Sequence, residues 1–355
     1  MSNQFYDAMS GYSDEQYLDL LCRADAEPVI DGVRMPGFTD SQFQVNTVGS
    51  AGVDSLRGEG FGFYKYIKAM AAKYGITIGE NTRILDFGCG WGRMVRFWFK
   101  DIKSENIFGI DVDPKMVEVC DSTLPCGNYS LISPAPPTEF ADGSFDIIFA
   151  YSVFSHLSSD MAEKWVREFN RLLKSGGLLV ATTRDATFID VCEHYRLNPN
   201  VAAKSEYNQM LSKCFSPAAE YHDRFKRGEF LFSPTGGGET RDSSFYGDTM
   251  IPEKYVKDVW GKLLTFRQYE SSGILPQAVF VLQKGEPPDC VDGKLSELRF
   301  HMNRQTEQIN LLRNSLTDAN RRVAETTKQI DEMENSRSWK LTKHYRWLGR
   351  KLRGE

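Results

Sequence analysis

Between residues 81 and 183 the apolar positions fall in short, near-continuous runs separated by amphipathic stretches. Four runs read as strands: 83–87 (Arg-Ile-Leu-Asp-Phe), 107–111 (Ile-Phe-Gly-Ile-Asp), 145–151 (Phe-Asp-Ile-Ile-Phe-Ala-Tyr) and 177–183 (Gly-Leu-Leu-Val-Ala-Thr-Thr). Helical spacing lies between them at 94–100, 114–121 and 160–174, with Pro114 where a first helical turn accepts proline. Strands this apolar are covered on both faces, and strands alternating with helices build a parallel sheet. Two more strand patterns, 263–270 and 278–284, flank Ser-Ser-Gly at 271–273. The expectation is an α/β chain with a Rossmann-like, doubly wound, mainly parallel seven-stranded sheet.

Outside that rhythm the pattern changes. Residues 1–80 read as an N-terminal helical cap, with helices at 16–23 and 63–74 around a Gly-punctuated stretch, 49–62; Gly75 is placed to end the second helix. Residues 184–260 are polar and aromatic, contain Gly-Gly-Gly at 236–238, and read as an insertion covering the C-terminal edge of the sheet. The globular domain, 81–285, closes at Gly-Glu-Pro-Pro, 285–288. From 292 to 335 a heptad takes over. Leu, Met, Ile, Leu, Val and Ile stand at 295, 302, 309, 316, 323 and 330, and a second seam at 298–333 lapses only at Gln305 and Thr326. This predicts a coiled coil, hence a homo-oligomer, dimer or trimer; the alternative is one long helix folded back on the body. Residues 336–355 form a basic amphipathic tail, with Leu341, Tyr345, Leu348 and Leu352 on one helical face and Lys343, Arg346, Arg350 and Arg353 opposite.

Charge sharpens this division. The chain carries −5 in all, yet from Lys294 onward Lys and Arg number 14 against 8 Asp and Glu. The body is therefore acidic, and a nucleic-acid partner is not expected. The tail, with its tryptophans, suits an anionic membrane surface; the alternative is a solvated end of the coiled coil. Seven scattered cysteines without a Cys-x-x-Cys pair fit free thiols in a reducing compartment. Met-Ser-Asn-Gln-Phe-Tyr-Asp at 1–7 has no basic start and no apolar core, so a secretory leader is not expected. No apolar run reaches the ~18 residues of a membrane span. A cytoplasmic protein, peripheral at the inner membrane, is expected. Five dispersed histidines give no metal site.

The candidate chemistry sits where the first strand ends. Asp86 is followed by Gly88-Cys89-Gly90-Trp91-Gly92 and a helical pattern, a turn in which backbone can approach a ligand closely and a helix N-terminus follows. About twenty residues on, the next strand ends in Asp111, where a carboxylate can accept from a ribose diol. Leu-Asp-Phe-Gly-Cys-Gly-Trp-Gly-Arg at 85–93 resembles motif I of the class I S-adenosylmethionine-dependent methyltransferases. Gly-Ile-Asp-Val-Asp-Pro at 109–114, the run 145–157 and Arg-Leu-Leu-Lys-Ser-Gly-Gly at 171–177 resemble further motifs of that family, in its order.

The resemblance implies S-adenosyl-L-methionine as cofactor. Asp86 with Gly88, Cys89, Gly90 and Gly92 would hold its methionine and ribose side, Asp111 the ribose hydroxyls, Val112 the adenine flank, and Thr138 the adenine edge, with Tyr151 at the fourth-strand exit. Ser-Pro-Ala-Pro-Pro at 133–137 replaces the family's acidic residue there and leaves adenine to the backbone. The acceptor would lie near Tyr151, Ser152 and His156. No Asn/Asp-Pro-Pro-Tyr-like motif occurs at that exit, which favours oxygen or carbon over nitrogen as acceptor. His156 is the candidate general base, because imidazole titrates near neutrality; the alternative is that it caps or packs the next helix. Tyr246 and Asp248 are placed in a loop covering the acceptor, with an ordinary turn as the alternative. His194 and His222 are weaker candidates.

Ser-Arg-Ser-Trp-Lys-Leu-Thr at 336–342 is similar to the ends of bacterial enzymes of surface-polysaccharide assembly, and a methyltransferase joined to a coiled coil resembles O-antigen chain terminators. The resemblance implies an O-methyltransferase for a sugar hydroxyl of a lipid-linked polysaccharide, beside polymerase or export proteins. A small-molecule or lipid O-methyltransferase and a non-catalytic coiled-coil scaffold are the alternatives.

Overall fold

The computed structural model describes residues 3–48, 52–237 and 240–285; the expected coiled coil and basic tail lie outside the described residues. Its centre is a seven-stranded sheet: β1 (Ile84–Phe87), β2 (Ile107–Asp111), β3 (Asn128–Leu131), β4 (Phe145–Ala150), β5 (Leu173–Thr183), β6 (Thr265–Glu270) and β7 (Ala278–Gln283). The spatial order is β6-β7-β5-β4-β1-β2-β3. Strands β3, β2, β1, β4 and β5 run parallel, and β7 is antiparallel to both β5 and β6. This is the mostly parallel, Rossmann-like seven-stranded sheet expected from the sequence. The strand order reverses on either side of β1, so the carboxyl ends of β1 and β4 open a crevice where ligands bind such sheets.

The two faces are covered as the apolar strands require. On one, α4 (Ser159–Leu172) lays Trp165 and Phe169 on Phe87, at ring distances of 4.3 and 5.0 Å. Ser158 starts that helix by accepting from the Met161 N–H. On the other, α2 (Phe61–Lys73) closes over the sheet, with Phe63 edge-on to Phe149 and Tyr151, and α1 (Asp14–Arg23) packs on residues 95–100, Tyr17 donating to the Arg96 carbonyl at 3.0 Å. Gly75, at φ +84°, ends α2 as expected. Helix α3 (Pro114–Thr123) starts on Asp113, whose side chain accepts from the Lys115 N–H.

Three local readings are corrected. The expected helix at 94–100 is a six-residue 3-10 helix, Val95–Lys100. All six of its side chains are buried, so no solvent-facing stripe selects the 3.6-residue period. The edge strand β3 reads Asn-Tyr-Ser-Leu and is mostly exposed, so it carries no apolar run to betray it. Residues 184–260 are more regular than their polarity suggests. They hold α5 (Thr187–Leu197), α6 (Ala218–Arg227) and a hairpin pairing Leu231–Ser233 with Asp248–Met250. A small core of Ile189, Cys192, Leu211, Phe215, Leu231 and Met250 supports them. Arg184 bridges to Met250 and Leu157 to Tyr246, which brings the insertion's hairpin to the exits of β4 and β5.

Candidate cofactor and acceptor site

The turn after β1 is shaped by its glycines. Gly88 sits at φ +72°, and a Cβ there would lie 2.5 Å from Val153 Cγ2. Gly90 sits at φ +54° facing open space, which leaves room for a ligand against bare backbone. The N–H groups, however, are turned inward. Gly88 and Cys89 donate to the Ile110 carbonyl (2.8 and 3.1 Å), Gly92 to the Cys89 carbonyl (2.9 Å), and Gly90 to Asp111 Oδ2 (2.9 Å). With these donors taken and a short 3-10 helix following, the turn lacks the fan of free N–H groups that cradles a phosphate. It suits a ligand that brings no phosphate to this position. The Cys89 side chain is buried, and its hydrogen bond with Cys120, then burial, push its thiol well up.

Two carboxylates flank the turn in different states. Asp111 accepts from Gly90 and, through Oδ1, from the Asp113 N–H at 2.9 Å. Burial pushes its carboxyl up against those two donors. Each oxygen keeps a second lone pair for a ribose hydroxyl. Asp86 is 1% exposed, and its Oδ2 has no hydrogen-bond partner. Burial, then the Asp111 charge, pushes its carboxyl well above the ordinary range, with Arg93 opposing. A buried carboxylate oxygen left without a donor is costly, and an ammonium group would relieve it. Close by, Arg93 donates to Glu59 (2.9 Å) and lies 5.1 Å over the Tyr151 ring. Burial pushes that phenol up.

The crevice itself is narrow, about 60 Å³, and is lined by Gly88, Asp111, Val112, Ile132, Pro134, Val153, Leu157 and Trp165. The insertion closes it with Arg241, Phe245 and Tyr246. The Arg241 guanidinium stands 3.7 Å from Asp113.

At the exit of β4 a second cluster forms. Ser152 adopts φ +60°, a strained value for a residue with a side chain. Its N–H donates to Thr182 Oγ1 (2.7 Å) and its hydroxyl accepts from Gln277 Nε2 (2.9 Å). His156 bonds through Nδ1 to the Gly247 carbonyl at 2.8 Å and stacks on Tyr246, ring centres 5.0 Å apart. A carbonyl only accepts, so Nδ1 carries the proton and Nε2 the lone pair. Burial, then the positive charge of Arg184, holds the imidazole down to about 4. Asp248 lies 4.0 Å from that ring, fully buried, and is gripped by Arg184, Tyr207 (2.8 Å) and Thr235 (2.8 Å). Although burial works against it, Arg184 holds its carboxyl below the usual range.

A family model described as "Methyltransferase domain" matches residues 85–181, which span β1 to the end of β5. The match covers the part of the chain that carries the glycine turn and both carboxylates, and it supports S-adenosyl-L-methionine as the cofactor. Over 118 residues the chain is 30% identical to the 2-methyl-6-phytyl-1,4-hydroquinone methyltransferase of Synechocystis sp., covering 32% of this chain and 36% of that protein. Over 115 residues it is 28% identical to the phosphoethanolamine N-methyltransferase of Plasmodium falciparum, covering 32% and 42%. The chain thus spans less than half the length of these curated relatives. It also overlays an S-adenosylmethionine-dependent methyltransferase from Clostridium acetobutylicum at 13% identity and a TM-score of 0.41, covering 66% of this chain and 96% of that one.

The sheet and the insertion bring most of the sequence-predicted residues together. Gly88, Asp111, Val112 and Tyr246 line the crevice, and Asp86 lies buried at the end of β1, below the turn. Tyr151, Ser152, His156 and Asp248 gather at the exit of β4. Thr138 is elsewhere: its N–H and hydroxyl both donate to Glu168 Oε1 at 2.8 Å, and Ile132 and Pro134 stand at the crevice instead. Trp165 Nε1 pins that segment by donating to the Pro134 carbonyl at 3.0 Å. His194 and His222 lie on α5 and α6, paired with Asn198 and Asp190. Sequence reasoning missed Arg184, Gln277, Arg241 and Glu59. Only Arg184 carried a signal, as a charged residue directly after an apolar parallel strand, at the sheet edge where ligands bind.

Proposed function

We propose that this protein is an S-adenosylmethionine-dependent O-methyltransferase that methylates a sugar hydroxyl of a lipid-linked bacterial surface polysaccharide at the cytoplasmic face of the inner membrane, so ending chain growth. The observation that carries the transfer reaction is the unpartnered Asp86 Oδ2 below a glycine turn in which the Gly88, Cys89, Gly90 and Gly92 N–H groups are already bonded. S-Adenosyl-L-methionine supplies a methyl group on a sulfonium centre. Asp86 would hold its ammonium and Asp111 its ribose hydroxyls. His156, neutral and with Nε2 unprotonated, would take the proton that the acceptor hydroxyl releases as its oxygen forms the new bond to carbon. Tyr246 and the Gly247 carbonyl would keep the ring in place. Most of the rate would come from alignment of acceptor and methyl group.

The glycan acceptor is supported by the resemblance of residues 336–342 and of the heptad segment to polysaccharide-assembly enzymes. A second reading, methyl transfer to a small molecule or lipid, is favoured by the named acceptors of the curated relatives, a phytyl hydroquinone and phosphoethanolamine. Among the described residues no helix is long and apolar enough to cross a membrane, so contact with a lipid-linked acceptor would be peripheral. The test is to incubate the full chain with isotope-labelled S-adenosyl-L-methionine and either purified polysaccharide or small acceptors. Label in the polysaccharide is expected. Label in small acceptors alone would replace the first reading by the second, and no binding of S-adenosylhomocysteine in calorimetry would leave only the scaffold.

A further inference from the structure

Beyond the cofactor crevice lies a larger depression, and Phe245 lines both. It is an open groove of about 460 Å³ between the first turns of α4 and the insertion's strand Leu231–Ser233. Phe230, Phe232 and Phe245, each half-buried, offer ring surface to it. Ser159, Asp160 and Lys164 supply its polar side. Asp160 and Lys164 are exposed, and neither joins a salt bridge among the described residues.

This lining discriminates between ligands. An acyl chain laid here would strip water from a carboxylate, an ammonium and a hydroxyl and return nothing. A polyanion would meet one cation offset by one carboxylate. A sugar ring has an apolar face of C–H groups, which an aromatic face attracts, and a rim of hydroxyls, which serine, carboxylate and ammonium groups can bond. We propose that the groove is an oligosaccharide subsite, holding neutral sugar units of the acceptor next to the one methylated. The inference rests on the glycan reading above and extends it. Binding energy from these distal units would anchor the acceptor while the terminal hydroxyl is aligned, so a short acceptor would lose turnover as well as affinity.

Phe232 and Lys164 are the residues to change, since Phe230 and Phe245 also pack against the domain core. Calorimetry on the full chain with neutral gluco-, manno-, galacto- and rhamno-tetraoses should show at least one of them binding. Phe232→Ala should weaken it about tenfold and Lys164→Ala about threefold. S-Adenosylhomocysteine affinity and melting temperature should stay at wild-type values in Lys164→Ala, which keeps the inference testable if Phe232→Ala folds poorly. Wild-type affinity in both variants, binding of none of the four sugars, or binding of decanoate alone would overturn the groove. Labelled methyl transfer separates the two claims. Transfer to polysaccharide with unchanged sugar binding in the variants rejects the groove and keeps the enzyme reading. Variant-sensitive sugar binding without transfer keeps the groove and rejects the enzyme reading.

Discussion

Asp86 and His156 show how burial decides what a side chain can do. Asp86 has no donor for its Oδ2, so holding it ionised in the ligand-free protein is costly. Its raised pKa has a definite sign: stability from this residue is full below the unfolded value and is lost as pH rises through the folded one. Asp86→Asn should therefore raise the melting temperature of the ligand-free protein at pH 7 by ~2 °C. The same change should weaken S-adenosylhomocysteine binding by about 10- to 100-fold in calorimetry. A fall in both quantities would mean that Asp86 is structural. For His156 the sign is opposite. Its pKa near 4 keeps it neutral, so activity should be flat from pH 5.5 to 8 and fall only as pH drops through about 4. His156→Ala should lower kcat by about 10²- to 10⁴-fold while leaving S-adenosylhomocysteine affinity unchanged. An inflection near pH 6.5 in kcat/KM, or near-normal kcat in the variant, would remove His156 as base. Both residues were legible in the sequence as candidates. Their protonation was not: for Asp86 it depends on burial beside Asp111 and Arg93, and for His156 on burial and on Arg184, Asp248 and Gly247, which are 28 to 92 residues away.

At the level of elements, the glycine turn makes a contrast that sequence alone leaves blank. Three glycines look alike in the motif, yet their surroundings differ. Gly88→Ala would combine a positive φ with a contact of 2.5 Å to Val153 and should destabilise by ~2–4 kcal/mol, seen as a large loss of melting temperature. Gly90→Ala meets no atom within 4 Å, so it should cost only about 1 kcal/mol of stability while placing a methyl group in the ligand's space. Equal loss of stability in the two variants would contradict this division. The long apolar strands were readable because burial on both faces leaves them continuously apolar, and α4 because burial on one face gives it a helical period. Strand β3 and the helices of the insertion were not. The first is a polar edge that pairs on one side only, and the second bury their few apolar residues in a small local core.

For the whole molecule, the heptad from 292 to 335 remains a proposal with a direct measurement. Light scattering of the full chain should give a dimer or trimer, and Ile309→Lys with Leu316→Lys should give a monomer with unchanged S-adenosylhomocysteine affinity. A wild-type monomer would return these residues to a single long helix. The acidic body and basic C-terminal part predict further that anionic vesicles bind the full chain at low salt and release it as ionic strength rises. What the amino-acid sequence by itself determined was the fold class and the glycine turn flanked by two carboxylates. These are local patterns, set by continuous apolar runs in the strands, the 3.6-residue period of the helices and glycine spacing over a few residues. Only the tertiary structure decided that Thr138 turns away to Glu168, that the turn's N–H groups face inward, and that the insertion brings Arg184, Tyr246 and Asp248 around His156. Those outcomes depend on contacts between distant segments, and no local period records which side chains such contacts will leave unpaired.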